Sequence, residues 1–318
     1  MMKRIFIFPF YCIFFLLSLA GCTNKNAASS SALNNGKLTV VSSIFVPYDF
    51  TRVIAGDRVN IKMLLPPAAE SHSFEPTPQD IITIQNSDVF IYVGGESDRW
   101  AARILDSMDT SKMRILSLME IVDVVEEEIV EGMEEEDEED EGPAYDEHVW
   151  TSPKNAALIL RAITETLCKL DDANSAFYRQ NAENYLASLD ELDASFRSIV
   201  NGTKRKTIIF GDRFPFRYFA DAYGLSYFAA FPGCSTETEC SAGTVAFLID
   251  KIRAEKIPVV FFIELSNEKI ADTLADETGA KKLLLHSAHN ISKRDFDKGV
   301  SYLELMKQNA VNLKEALQ

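Results

Sequence analysis

Four histidines occur in 318 residues, and three of them stand where a cation would need them. His72 opens His72-Ser73-Phe74-Glu75-Pro76-Thr77-Pro78, and His148 sits in Asp146-Glu147-His148-Val149-Trp150-Thr151-Ser152-Pro153. His286 follows the apolar run Leu283-Leu284-Leu285, with His289 three residues later. A neutral imidazole is the commonest side-chain metal ligand. Histidines inside Pro- and Trp-punctuated motifs point to ligands delivered from separate loops to one cleft. The competing reading, that two of the four are ordinary loop or core residues, stays open at this point. No His-Glu-x-x-His helix and no nucleophile motif accompanies them.

The elements that must carry these loops alternate. In the first half Lys37–Ser42, Val59–Leu65 and Val89–Val93 have strand character, with helices expected at Tyr48–Ala55 and Pro78–Asn86. In the second half strands are expected at Lys206–Phe210, Leu225–Phe231, Val259–Ile263 and Lys282–Leu285, and helices at Phe216–Tyr223, Ala242–Ala254 and Lys269–Thr278. Such alternation implies parallel sheets with helices on both faces. Between the halves Tyr178, Ala182, Tyr185, Leu189, Leu192, Phe196 and Ile199 form one apolar stripe with no Gly or Pro from Asn174 to Val200. At 1.5 Å per residue that helix would run about 40 Å, a single strut between two lobes. The expected class is α/β: two lobes with mainly parallel sheets flanked by helices, joined by one long rigid helix. The lobes are placed at 37–172 and 202–318, with the link at 173–201.

Residues 1–22 have the form of an export signal: Lys3 and Arg4, an apolar run from Ile5 to Leu19, then Leu19-Ala20-Gly21-Cys22, which looks like a bacterial lipobox. Cys22 is the expected lipidation point, and 23–36 a flexible tether. The rest is expected to lie outside the cytoplasm, held to the membrane through that lipid. In such an oxidising place Cys234 and Cys240 could close a small disulfide loop or stay as thiols. The formal charge of −16 falls to −4 without the 12 acids of residues 126–141, a block with no base. A self-repelling block of this kind is expected to be disordered, and the acidic loop is taken as 126–147. No basic stripe offers a nucleic-acid surface.

These motifs together resemble the substrate-binding lipoproteins of bacterial zinc and manganese ABC importers, over nearly the whole mature chain. The resemblance rests on Ser43–Phe50 with Ile54–Asp57, on His72–Pro78, on Gly94, Gly95, Glu96 and Trp100, and on Asp146–Pro153, where Glu147 replaces a usual proline. It continues through Tyr218-Phe219, Tyr223–Leu225, Glu264 and Glu277–Ala280. It implies two α/β lobes with a metal between them, an ABC permease as partner, and no enzymatic activity. The acidic block stands where the family often carries a histidine-rich loop.

Two of the family's ligand places also depart from its pattern. Its third ligand falls on Arg213, which cannot ligate a cation. Its fourth, usually acidic and after the last strand, is matched to His286. The implied ligand set is therefore His72, His148 and His286, completed by Asp212 or a water. Arg213 is expected to turn away from the cation and pair with Glu237 or Glu239, which are also reserve ligands. Glu264 and Glu75 are expected to orient ligands or cap backbone groups. Three imidazoles and one carboxylate suit tetrahedral zinc; manganese prefers more oxygen. Manganese or another divalent metal, a metal-dependent surface adhesin, and more remotely a zinc hydrolase are the alternatives.

Overall fold

The computed structural model describes residues 36–70, 73–133, 145–233 and 240–318. The first half runs β1 (Thr39–Ser42), α1 (Phe45–Ala55), β2 (Asn60–Met63), α2 (Pro78–Gln85), β3 (Val89–Tyr92), α3 (Arg99–Asp106), β4 (Arg114–Ser117) and α4 (Pro153–Leu170). The long helix α5 (Ser175–Asn201) follows. The second half runs β5 (Thr207–Arg213), α6 (Arg217–Tyr223), β6 (Ser226–Phe231), α7 (Ala242–Glu255), β7 (Val259–Phe262), α8 (Lys269–Thr278) and β8 (Lys281–Leu284), and closes with α9 (Lys293–Asp297) and α10 (Tyr302–Leu317).

Each half builds one four-stranded parallel sheet, ordered β2-β1-β3-β4 and β6-β5-β7-β8. The two orders are the same winding repeated. The central strands β1, β3, β5 and β7 are largely buried on both faces because helices cover both faces. Adjacent residues of a strand point opposite ways. Thus Val40, Ile91, Phe210 and Phe261 face one core that also takes in α1, α4, α5 and α10. Their neighbours Val41 and Phe90 pack with Trp100 and Ile84 on the outer side of the first sheet. Ile209 and Val260 pack with Leu248 and Leu274 on the outer side of the second. The expected α/β class with a long connecting helix is the observed one.

The buried face of α5 is Tyr178, Ala182, Leu186, Leu189, Leu192, Phe196 and Val200, with Tyr185 and Ile199 only half-buried. Six steps cover 22 residues, about 3.7 per turn, which keeps a straight helix in register where a 3.5 repeat would need a supercoil. The helix is therefore an internal strut packed by α1, α4 and α10.

Part of the acidic block is held in place. Glu126 forms an antiparallel bridge with Tyr145, and the Glu128 carboxylate accepts from the Tyr227 hydroxyl at 3.1 Å and lies 3.4 Å from Arg217. Gly132 lies against the Phe247 ring, where a Cβ would come within 2.1 Å of it. Residues 126–133 thus depart from the expected disorder: Arg217 offsets the charge of Glu128, the Tyr227 hydroxyl donates to it, and the Glu126–Tyr145 bridge holds the backbone. Residues 134–144 lie outside the described residues, as do 1–35, Ser71, His72 and 234–239, so Cys22, Cys234, Glu237 and Glu239 are not placed. Asp146 and Glu147, counted with the loop, are buried.

Candidate metal centre

In open parallel sheets, ligands gather beyond the carboxyl ends of the strands, where the strand order reverses. One cleft in this protein is lined wholly by such residues. Ala69 and Glu70 follow β2, His148 follows β4, Arg213 ends β5 and Pro215 follows it, and Gly233 follows β6. Ile263, Glu264 and Leu265 follow β7, and Ser287, His289 and Asn290 follow β8. A second, smaller cavity shares His289 and is lined by Leu65 and Phe74, among others. Ala69 and Glu70 on one side of position 72 in the chain, and Phe74 on the other, thus each line a cavity together with His289.

His148 is fully buried at the start of the turn that leads into α4, whose first turn begins at Pro153. Its backbone N–H donates to Asp146 Oδ1 at 2.7 Å, and its ring Nδ1 lies 3.1 Å from the same oxygen. A carboxylate there calls for the proton on Nδ1, which leaves the Nε2 lone pair as the ligating face. Burial opposes the positive ring, but the charge and hydrogen bond of Asp146, with the charges of Glu147 and Glu127, together outweigh it and hold the imidazole above its ordinary range. The departure at Glu147 has a local reason. Its carboxylate accepts from the Ser97 hydroxyl at 2.5 Å and packs on Gly95, where a Cβ would lie 2.5 Å from its Oε2. Burial pushes that carboxyl up, with nearby His148 acting against it.

His289 faces His148 across the cleft, ring centres 5.2 Å apart and planes at 81°. Trp150 packs edge-on against both, at 5.6 and 5.1 Å. The Trp150 indole N–H donates to the Ser287 carbonyl at 2.8 Å, tying the His148 motif to the turn after β8. Glu264 organises that turn as expected of an orienting residue. It accepts from Ser287 N–H at 2.7 Å, Ser287 Oγ at 2.6 Å and His289 N–H at 3.2 Å. Ala288, at φ 61°, reverses the chain so that His289 enters the cleft. Ala68 and Leu265, at φ 70° and 62°, stand in the same ring of loops. Left-handed non-glycine residues cost about 1–3 kcal/mol each and concentrate at functional sites.

His286 is not among the residues that line this cleft, though its ring Nδ1 lies 3.4 Å from Oε2 of Glu264, which is. Its backbone is strapped to α10 by Asn309, which accepts from its N–H and donates to its carbonyl, both at 2.8 Å. Its Nδ1 accepts from the Ala288 N–H at 3.0 Å. Asp212 is also absent from the lining. Its two oxygens accept from the N–H groups of Arg213 and Ile263, and burial pushes its carboxyl up. Arg213, expected to face away, lines the cleft and meets Glu70 at 3.2 Å. His289 was passed over because one family position was matched to one histidine. The signal that distinguishes the two is distance past β8: His286 lies two residues beyond the strand end, whereas His289 lies beyond the left-handed Ala288.

Two lobes of parallel sheet with paired imidazoles at their strand ends define a metal-binding receptor. The profile of the family described as zinc-uptake complex component A, periplasmic, matches residues 40–316. The high-affinity zinc uptake system protein ZnuA of Bacillus subtilis (strain 168) is 35% identical over 302 residues, covering 95% of this chain and 94% of that one. The zinc-binding lipoprotein AdcA of Streptococcus pneumoniae (strain R6) is 29% identical over 94% of the chain, which spans 58% of that longer protein. The crystal structure of the metal-dependent lipoprotein YcdH of Bacillus subtilis superposes with a TM-score of 0.76 at 33% identity, over 89% of this chain and all of the other. The chain belongs to the zinc-uptake component A family. It is a substrate-binding receptor of a metal ABC importer rather than an enzyme, and zinc is the metal carried.

Proposed function

We propose that zinc is held by His148, His289 and His72, with Glu70 or water completing the shell, rather than by the set with His286 and Asp212. The separation of the His148 and His289 rings carries this reading. A zinc–nitrogen bond of about 2.0–2.1 Å puts each ring centre about 3.2 Å from the metal, and a tetrahedral angle then sets the centres about 5.2 Å apart. The rings of His148 and His289 stand at that distance, 5.2 Å. His72 enters the proposal because residues on both sides of it line cavities that share His289. Zinc is then passed to the importer's permease from a chain fastened to the membrane through lipid on Cys22. The proposal keeps two lobes, 37–172 and 202–318, with residues 173–201 as the linking helix.

Isothermal titration of apoprotein should give one tight zinc per chain, lost or strongly weakened in His72→Ala, His148→Ala and His289→Ala. Unchanged binding in any two of these sinks the assignment. Cys22→Ala should release the protein from the membrane fraction; continued membrane retention would refute the anchor.

A further inference from the structure

We infer that Asn290 is a positioning residue that fastens the segment leading into His72 to the turn that carries His289. The inference rests on the ligand assignment above. Asn290 is buried, and its side-chain amide donates to the carbonyls of Pro66 and Ala69, at 2.9 and 2.7 Å. Its Oδ1 accepts from the Ile291 N–H at 2.8 Å. Ala68, between the two clamped carbonyls and held at φ 70°, donates its own N–H to the Ile291 carbonyl at 2.9 Å. The carbonyls of Pro66 and Ala69 and the N–H of Ala68 are thus met from the second half of the chain, one and two residues beyond His289.

Further along, Glu70 meets Arg213 across the cleft at 3.2 Å. The family's third ligand place is then held by a residue that ties down the same segment instead of binding metal. A segment of two prolines and two alanines has little side-chain packing with which to fix itself. Its place depends on who receives its carbonyls. The consequence is that the first and last imidazoles of the proposed site are coupled: the turn that aims His289 also holds Pro66 and Ala69, a few residues ahead of His72 in the chain. Groups that hold ligands in place change metal affinity by about 10–100-fold when removed.

The test is a double-mutant cycle read by zinc competition with a chromogenic chelator. Asn290→Asp keeps the shape and the acceptor for Ile291 but loses both donors; Asn290→Ala is the second variant, should the added charge disturb folding. Each should weaken zinc by at least about tenfold in the native background and by less than about twofold in His72→Ala, because its effect passes through His72. Cobalt(II) in place of zinc supplies a readout that mere loosening of the fold does not move. Its visible bands should weaken in Asn290→Asp as tetrahedral coordination is lost. Equal loss in both backgrounds, or no loss in either, overturns the role of Asn290 alone. Native affinity in His72→Ala itself overturns the ligand assignment, and the inference with it.

Discussion

Replacing His289 and His286 separately by alanine tests the reading most directly, since the two are three residues apart and differ in what they touch. Zinc held by four protein groups is bound with about 10–16 kcal/mol, so one imidazole accounts for about 3 kcal/mol. Water returns part of that, and about 1.4 kcal/mol corresponds to tenfold. His289→Ala should therefore weaken zinc about 100-fold. His286→Ala removes a ring that accepts the Ala288 N–H, and Ala288 is fully buried. An unmet buried N–H costs about 1–3 kcal/mol, but it falls on the fold with and without metal. The His286 backbone keeps both bonds to Asn309. Its substitution should lower the urea midpoint of the apoprotein while shifting zinc affinity by less than about tenfold. Competition with a chelator of known affinity measures the first quantity and equilibrium unfolding the second. If His286→Ala costs zinc as much as His289→Ala, or if His289→Ala stays within about threefold of native, the site is not built as argued.

Asp146→Ala should weaken zinc by about 10–100-fold at neutral pH, because His148 loses the carboxylate that orients its ring; the same chelator competition checks it. Deleting 134–141 should leave equilibrium affinity unchanged and slow stopped-flow capture at low salt, with the difference vanishing at high salt; unchanged rates at low salt would make the block an inert insertion. Asp98 is buried and accepts from Val93 N–H at 2.6 Å and Ser43 Oγ at 2.9 Å; burial pushes its carboxyl above the ordinary value despite these bonds. The folded chain then holds that proton to higher pH than the unfolded chain, so native stability falls as pH rises through the interval and stays lower above it. Asp98→Asn has no such loss. Its stability relative to native should be most favourable at neutral pH and shrink as pH falls below the folded value, by urea titration of the apoprotein; an advantage that grows on acidification would contradict this.

The paired sheets were legible because their central strands are buried on both faces and spell continuous apolar runs, as in Val259–Phe262. The edge strand β4, Arg114–Ser117, was not, since only Ser117 in it is buried and no run announces it. Helix α10 was passed over although Ser301 and Glu304 form a capping box ahead of Tyr302, Met306, Leu313 and Leu317. The stripe on α5 drifted at Tyr185 and Ile199, where a 3.5 repeat was read onto a straight helix. At the site, the motif around His148 was legible because Asp146 and Trp150 act within two residues of it. The choice between His286 and His289 was not, since it depends on a left-handed Ala288 and on Asn309, more than twenty residues away. Asn290 carried no signal of its own. Its partners lie some 220 residues earlier, and only the winding of both sheets brings them together.

The preference for zinc over manganese follows from what the carboxylates around the cleft are doing. Manganese needs several oxygen donors. Asp146 is engaged by His148, Glu147 by Ser97, Asp212 by two backbone N–H groups, and Glu264 by the turn after β8. Each is buried or nearly so, and each would have to give up hydrogen bonds to reach a metal. Leaving the groups that donate them unmet costs about 1–3 kcal/mol apiece. Glu70 lines the cleft, but a cation must compete with Arg213 for it. In the proposed site the oxygens thus shape the loops while the imidazoles are left for the cargo, and a cation that gains most from nitrogen is the one such a cleft would retain. Arg213 sharpens the effect: its fixed charge repels every cation alike, so only one with strong nitrogen bonds offsets the penalty.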